Sequence, residues 1–279
     1  MSSPTPPHTD NSVSYARLAV VGAGAWGTAL AIIAAGNAAK VLLWAREREV
    51  VEAIATSRQN KTFLAGIVIP AAVEPSLDMA CVAQAEAVLL AAPAQHVRSV
   101  LEEMKPHLGR GTPVVLCAKG IETGSGLLLP ETLASILPEA EPAILSGPSF
   151  ARDVAGGLPT AVTIAARPAI AARLQASLSR PGFRPYASQD LIGVALGGAA
   201  KNVYAIACGM VEGAGLGESA RAATISRGFA ELMRLGTALG GRAETLIGLS
   251  GLGDLVLTAT SMSSRNFSLG VALGRGAKL

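Results

Sequence analysis

The segment Gly22-Ala-Gly24-Ala-Trp26-Gly27 constrains this chain more than any other. The apolar run Leu18–Val21 precedes it and the helix-forming residues Thr28–Ala35 follow, so a buried strand must turn into a helix at three glycines. In such a turn the first glycine permits the sharp bend, the second lets a pyrophosphate approach the backbone, and the third lets the helix pack close to the sheet. The anion then rests on the helix N-terminus. Among 31 glycines the bare spacing can arise by chance, and it is the flanking strand and helix that make it a dinucleotide-binding signature.

Composition narrows the remaining classes. With 50% hydrophobic and only 15% charged residues, the chain must bury much of its surface in a doubly covered sheet, in helix–helix cores or in a subunit interface. A net charge of +3, scattered and without basic runs or interleaved aromatics, argues against nucleic-acid binding. Cys81, Cys117 and Cys208 lie far apart and lack metal-ligand spacing, which suits reduced thiols in a cytoplasmic protein and indicates no metal site. The stretch Leu18–Ala35 also passes for a signal peptide or membrane span. Its glycines, Trp26 and Thr28, and the lack of a basic segment beyond Arg17, favour strand-turn-helix and no membrane insertion. Residues 1–16, rich in Pro, Ser and Thr, read as a disordered leader.

Between 17 and 188 short apolar runs alternate with helical stretches, the pattern of a Rossmann-type parallel α/β domain. The predicted strands are Arg17–Val21, Lys40–Trp44, Ala87–Ala92, Pro113–Ala118, Ala143–Ser146 and Ala161–Ala165. From 189 to 279 the chain reads as an all-helical domain rich in Ala, Leu and Gly. Internal repeats and long linkers are absent from the sequence.

Three predicted strands run into residues with chemical meaning: Gln95 and His96, then Lys119-Gly-Ile-Glu122, then Ser146-Gly147-Pro-Ser149. In an open parallel sheet the carboxyl ends of the strands line the ligand crevice, so these groups converge on the edge that would hold the pyrophosphate. Taken singly, Lys119 reads equally as a loop lysine, His96 as a surface histidine and the Ser-Gly-Pro-Ser run as a turn. In the helical half, Lys201 is one lysine in an otherwise apolar helix, with Gly197 and Ala205 four residues to either side, spacing that leaves room for a ligand. Desolvation there would lower its pKa toward neutrality and fit it for proton transfer; a lysine snorkelling from a helix edge is the alternative. Asp254 follows the glycine-rich Gly248–Gly253, and Ser264-Arg265-Asn266 suits either a phosphate or a plain helix cap. Arg227, Glu231 and Arg234 have the spacing of a helical ion-pair ladder.

Together these motifs resemble the bacterial NAD(P)-dependent sn-glycerol-3-phosphate dehydrogenases. The resemblance is carried by Gly22–Ala31, Lys119–Glu122, Ser146–Ala151, Leu196–Asn202, Gly251–Thr258 and Ser264–Asn266. It implies reduction of dihydroxyacetone phosphate to sn-glycerol 3-phosphate, a precursor of membrane phospholipids, with NADP or NAD as cofactor. By position, Lys201 matches the proton-transferring lysine and Lys119 a lysine touching both cofactor and substrate. Gly147, Ser149, Asp254, Ser264, Arg265 and Asn266 match substrate contacts, and Ala25, Trp26, Arg46, Ala151 and Arg265 match cofactor contacts.

Some positions depart from the family. Ala25 stands where serine is common, Gln95 where histidine is, and Ala195 replaces a more usual polar residue. The chain also ends before the family's usual length, so late helices and a glutamate near the cofactor are expected to be missing. A dinucleotide-binding protein without turnover, or a related two-domain hydroxy-acid dehydrogenase, is therefore the alternative reading. The second strand is followed by Ala45-Arg46-Glu47, which puts a cation where an NAD-preferring site carries an acid; NADPH is expected to be favoured. The resemblance leaves room for a homodimer.

Overall fold

The computed structural model describes residues 14–278. Most of the expected leader, residues 1–13, lies outside that range. Its last part is corrected, because Tyr15 belongs to the core. The residue is 2% exposed, its backbone N–H donates to Ser177 Oγ at 2.8 Å, and the Arg173 guanidinium lies 3.9 Å from its ring centre.

One sheet of eight strands organises the first half: β1 (Arg17–Val21), β2 (Lys40–Trp44), β3 (Val73–Ser76), β4 (Ala87–Leu90), β5 (Pro113–Leu116), β6 (Glu141–Ser146), β7 (Thr160–Ala165) and β8 (Phe183–Ser188). Their spatial order is β3-β2-β1-β4-β5-β6-β7-β8. Helices α1 (Ala25–Ala34), α2 (Arg48–Ser57), α3 (Val97–Met104), α4 (Leu129–Ile136), α5 (Ala151–Ala155) and α6 (Pro168–Leu178) connect them. Successive strand residues feed opposite faces, as the two-residue period requires. Leu18, Val20, Val41 and Leu43 join the core beneath α1, whereas Ala19, Val21, Leu42 and Trp44 join the core with α3 and α4. Burial on both faces explains why these strands read as unbroken apolar runs.

Two strands were missing from the sequence prediction, and both are edges of the sheet. β3 contains Pro75 and β8 contains Pro185, and a proline argues against a strand everywhere except at an edge. The sheet is mostly parallel, as expected, with one exception: β6 and β7 pair antiparallel, while the other neighbours are parallel. Since the β6–β7 connection, with the five-residue α5, re-enters the sheet at the edge it left, Ala151 stays beside the carboxyl end of β6.

This reversal sets the course of the second half. β7 and β8 both end at the amino edge of β6, so α7 (Leu191–Gly213) has to climb back across the sheet. At 1.5 Å per residue, Lys201 lies about 15 Å along α7 from Leu191, far enough to bring it to the carboxyl edge. α7 is long and apolar enough to cross a membrane by length and composition, but half of its most apolar window is buried inside this fold. It packs on α8 (Gly217–Ala238), α10 (Asp254–Ala259) and α11 (Arg265–Gly274), with α9 (Ala243–Ile247) beside it. Helix-interior glycines cost about 1 kcal/mol each relative to alanine. Here they permit backbone contact, because a Cβ on Gly209 or Gly213 would strike the Phe267 or Val271 carbonyl of α11.

Candidate active site

The turn between β1 and α1 shows three distinct glycine roles. Gly22 has φ +108°, a left-handed conformation that side chains rarely adopt, and an added Cβ would press on the Ala91–Ala92 backbone at 3.1 Å. At Gly27 a Cβ would overlap the Gly22 carbonyl, which closes the helix onto the strand. Gly24 differs from both. Nothing of the protein lies within 4 Å of a Cβ placed there, and Gly24 stands directly before α1, whose first N–H groups no side chain caps. A protein-free space beside uncapped N–H donors fits a pyrophosphate.

Across the carboxyl edge, one carboxylate holds two lysines. Lys119 leaves the end of β5, and its Nζ donates to Asp254 Oδ2 at 2.5 Å and to the Gly147 carbonyl at 2.9 Å. Lys201 Nζ, from the middle of α7, donates to Asp254 Oδ1 at 3.0 Å and to Thr258 Oγ1 at 2.8 Å. The side chains are 19%, 10% and 2% exposed for Lys119, Lys201 and Asp254. Burial and the Lys119 charge together lower the Lys201 pKa to about 8, and the shared Asp254 carboxylate offsets only part of that. One negative charge serves two ammonium groups, and the more deeply buried of the pair gives way. Lys201 is therefore charged at neutral pH and releases a proton readily just above it.

The surrounding backbone fixes this cluster. Gly147, with φ +148°, brings its carbonyl to Lys119, and a Cβ there would lie 2.9 Å from Val162 Cα. Ser149 Oγ donates to the same carbonyl at 3.1 Å. Asp254 opens α10 directly after a single π-helical turn, Leu249–Gly253, a form that often marks functional sites. The room expected at Gly197 is filled by that turn, since a Cβ on Gly197 would lie 2.7 Å from the Ser250 carbonyl. The Ser264 side chain accepts from Phe267 N as the cap of α11, leaving Arg265 exposed on the first turn. Asn266 Nδ2 donates to Asn202 Oδ1 at 2.7 Å, which ties the start of α11 to the residue after Lys201.

Comparisons with known proteins agree with this geometry. A family model described as the N-terminus of NAD-dependent glycerol-3-phosphate dehydrogenase matches residues 17–172, and its C-terminal counterpart matches 190–279. The chain belongs to the NAD-dependent glycerol-3-phosphate dehydrogenase family. A glycerol-3-phosphate dehydrogenase [NAD(P)+] of Parvibaculum lavamentivorans is 56% identical over 96% of this chain and 81% of its own length. One from Rhodospirillum rubrum is 55% identical over 94% and 76%. The crystal structure of the Coxiella burnetii glycerol-3-phosphate dehydrogenase superposes with a TM-score of 0.89 at 40% identity, over 95% of this chain and 81% of that one.

Within this dehydrogenase fold, Lys119, Gly147, Ser149, Lys201 and Asp254 come together as the motifs suggested, and Asn266 joins through Asn202. Ala25 and Trp26 lie half-buried at the start of α1, and α5, which begins with Ala151, packs on α1. Arg46 is exposed just beyond β2. His96 is exposed, whereas Gln95 bonds to the Lys119 loop, donating to the Ile121 carbonyl at 2.9 Å and accepting from Thr123 N at 2.8 Å. In the same loop, Arg98 and Ser125 hold the Glu122 carboxyl down to a pKa of about 2. Of the expected surface ladder, Glu231 and Arg234 form an ion pair. Reading from sequence missed Thr258 and Asn202 as site residues. The available signal was spacing: Thr258 sits four residues after Asp254, on the same helix face.

Proposed function

We propose that this chain reduces dihydroxyacetone phosphate to sn-glycerol 3-phosphate with NADPH or NADH, reversibly, supplying glycerophospholipid synthesis in the cytoplasm. The observation that carries the reading is the Lys119–Asp254–Lys201 cluster on the sheet edge where the glycine turn opens. The bound reduced nicotinamide supplies the hydride. Lys201 donates its Nζ proton to the oxygen of the substrate carbonyl as that oxygen gains charge, and a pKa of about 8 suits a group that gives and regains a proton near neutral pH. Thr258 and Asp254 fix the Lys201 ammonium, and Lys119 directs a second positive charge toward the same oxygen. Arg265, exposed at the start of α11 beside Asn266, is assigned the substrate phosphate, which a guanidinium grips through paired hydrogen bonds. Gly22, Gly24 and Gly27 shape the pyrophosphate cradle, Ala25, Trp26 and Ala151 border it, and Arg46 is assigned to a 2′-phosphate. Three buried free thiols suit a reducing compartment.

The test is direct: purified protein is given dihydroxyacetone phosphate and each reduced cofactor in turn, and loss of nicotinamide absorbance is followed. Turnover dependent on both partners is expected. Tight cofactor binding without turnover would replace this reading with that of a dinucleotide-binding protein.

A further inference from the structure

Asn60 lies in the loop between α2 and β3 and has no part in the site as described so far. It is 1% exposed. Its Nδ2 donates to the Ala23 carbonyl at 2.8 Å and to Thr28 Oγ1 at 2.8 Å, and its Oδ1 accepts from Phe63 N at 3.2 Å. Thr28 Oγ1 itself donates to the Ala23 carbonyl at 3.3 Å. Both amide hydrogens of Asn60 are thus spent on one small network, and a buried polar group so satisfied holds its neighbours in one arrangement.

The position of that network gives it a purpose. Ala23 sits between Gly22 and Gly24, in the middle of the turn whose open side fits a pyrophosphate. A carbonyl oxygen facing that space would set partial negative charge against a doubly negative ligand. Two buried donors hold it instead, Asn60 from the α2–β3 loop and Thr28 from α1, so the turn is left to meet the ligand with N–H groups. We infer that Asn60 is a positioning residue of the dinucleotide site, which with Thr28 turns the Ala23 carbonyl away from the pyrophosphate. The inference rests on reading Gly22–Gly27 as the cofactor turn. It also predicts that affinity is lost without any change in cofactor preference: the pyrophosphate is common to both cofactors, so Asn60 serves both equally.

The experiment is a fluorescence titration of purified protein with NADH and with NADPH, read for affinity and for number of sites. Asn60→Asp keeps the side-chain shape but replaces the two donor hydrogens with an acceptor. Its Kd is expected to rise at least tenfold, by the same factor for both cofactors, with one site per folded chain retained. Thr28→Val, which removes the lesser donor, is expected to raise both values several-fold. Structural damage alone would instead lower the number of sites at unchanged Kd, and that result overturns the inference. So does wild-type affinity in folded Asn60→Asp, or, if that variant fails to fold, in Thr28→Val. Gly24→Val is the separate control on the underlying reading, because it fills the open side of the turn. If Gly24→Val binds normally, the turn is not the cofactor site; if it abolishes binding while the Asn60 and Thr28 variants bind normally, only the inference about Asn60 fails.

Discussion

The glycine turn and the lysine cluster sit on one sheet edge but are made of different materials. In the cofactor turn proposed at Gly22–Gly27 the groups on offer are backbone N–H donors, and what the sequence supplies is the absence of side chains. In the catalytic cluster proposed at Lys119, Lys201 and Asp254 the groups on offer are side-chain tips brought from β5, α7 and α10, and what the backbone supplies is position. A site made of backbone is broken first by added volume. A site made of side-chain tips is broken first by a change in their charge or proton affinity.

The sharpest way to break this contrast is at Lys201. Lys201→Ala is expected to cut turnover by about 10²–10⁴-fold, the usual contribution of general acid–base catalysis, with cofactor affinity nearly unchanged. Stopped-flow turnover beside a cofactor titration separates the two, and parallel losses in both would erase the distinction between the halves. Gly27→Ala tests the other side. Its Cβ would fall on the Gly22 carbonyl, an overpacking that costs about 1–3 kcal/mol, so cofactor affinity should drop by about tenfold or more. An alanine binding cofactor as well as wild type would show that the turn has slack.

Arg265→Ala is expected to weaken use of dihydroxyacetone phosphate by about ten- to a hundredfold, the range for a charge-assisted hydrogen bond, and to leave a phosphate-free ketone unaffected. Equal losses for the two ketones in kcat/KM would remove Arg265 from the phosphate. The pH dependence sharpens the chemistry of the cluster. Because the Lys201 pKa is lowered to about 8, ketone reduction should be level below that pH and decline above it as the proton is lost. Alcohol oxidation needs the neutral amine and should rise over the same interval. Asp254→Asn removes the attraction that holds the proton, so the reduction limb should move to lower pH, and a limb that stays in place would detach Asp254 from Lys201. Smallest of all is Arg46→Ala, an exposed charge, expected to cost NADPH affinity several-fold and NADH affinity little. Parallel changes in the two dissociation constants would make Arg46 a bystander.

The two halves also differed in how far they could be read without coordinates. The glycine turn was legible because strand, turn and helix are contiguous, and the strands on either side showed unbroken apolar runs. The edge strands β3 and β8 were not, since Pro75 and Pro185 carry a local signal against strand that only their position at the rim removes. Lys119, Lys201 and Asp254 could each be singled out by type and by apolar or glycine-rich surroundings, but that they share one carboxylate could not. Gly197 misled for the same reason: a small residue looks like space for a ligand until another backbone is found in it.

By itself, the sequence determined that a buried strand turns into a helix at Gly22–Gly27 and that a sheet half precedes a helical half. Those are local properties, set by φ, by side-chain period and by residue type. Tertiary structure decided the antiparallel turn from β6 into β7, and so the amino-edge start from which α7 climbs back to bring Lys201 over the site. It also decided that Asp254, 53 residues away in sequence, meets Lys201, that Thr258 joins them, and that Asn60 reaches the glycine turn. Each of these depends on which segments share space once the apolar faces are buried.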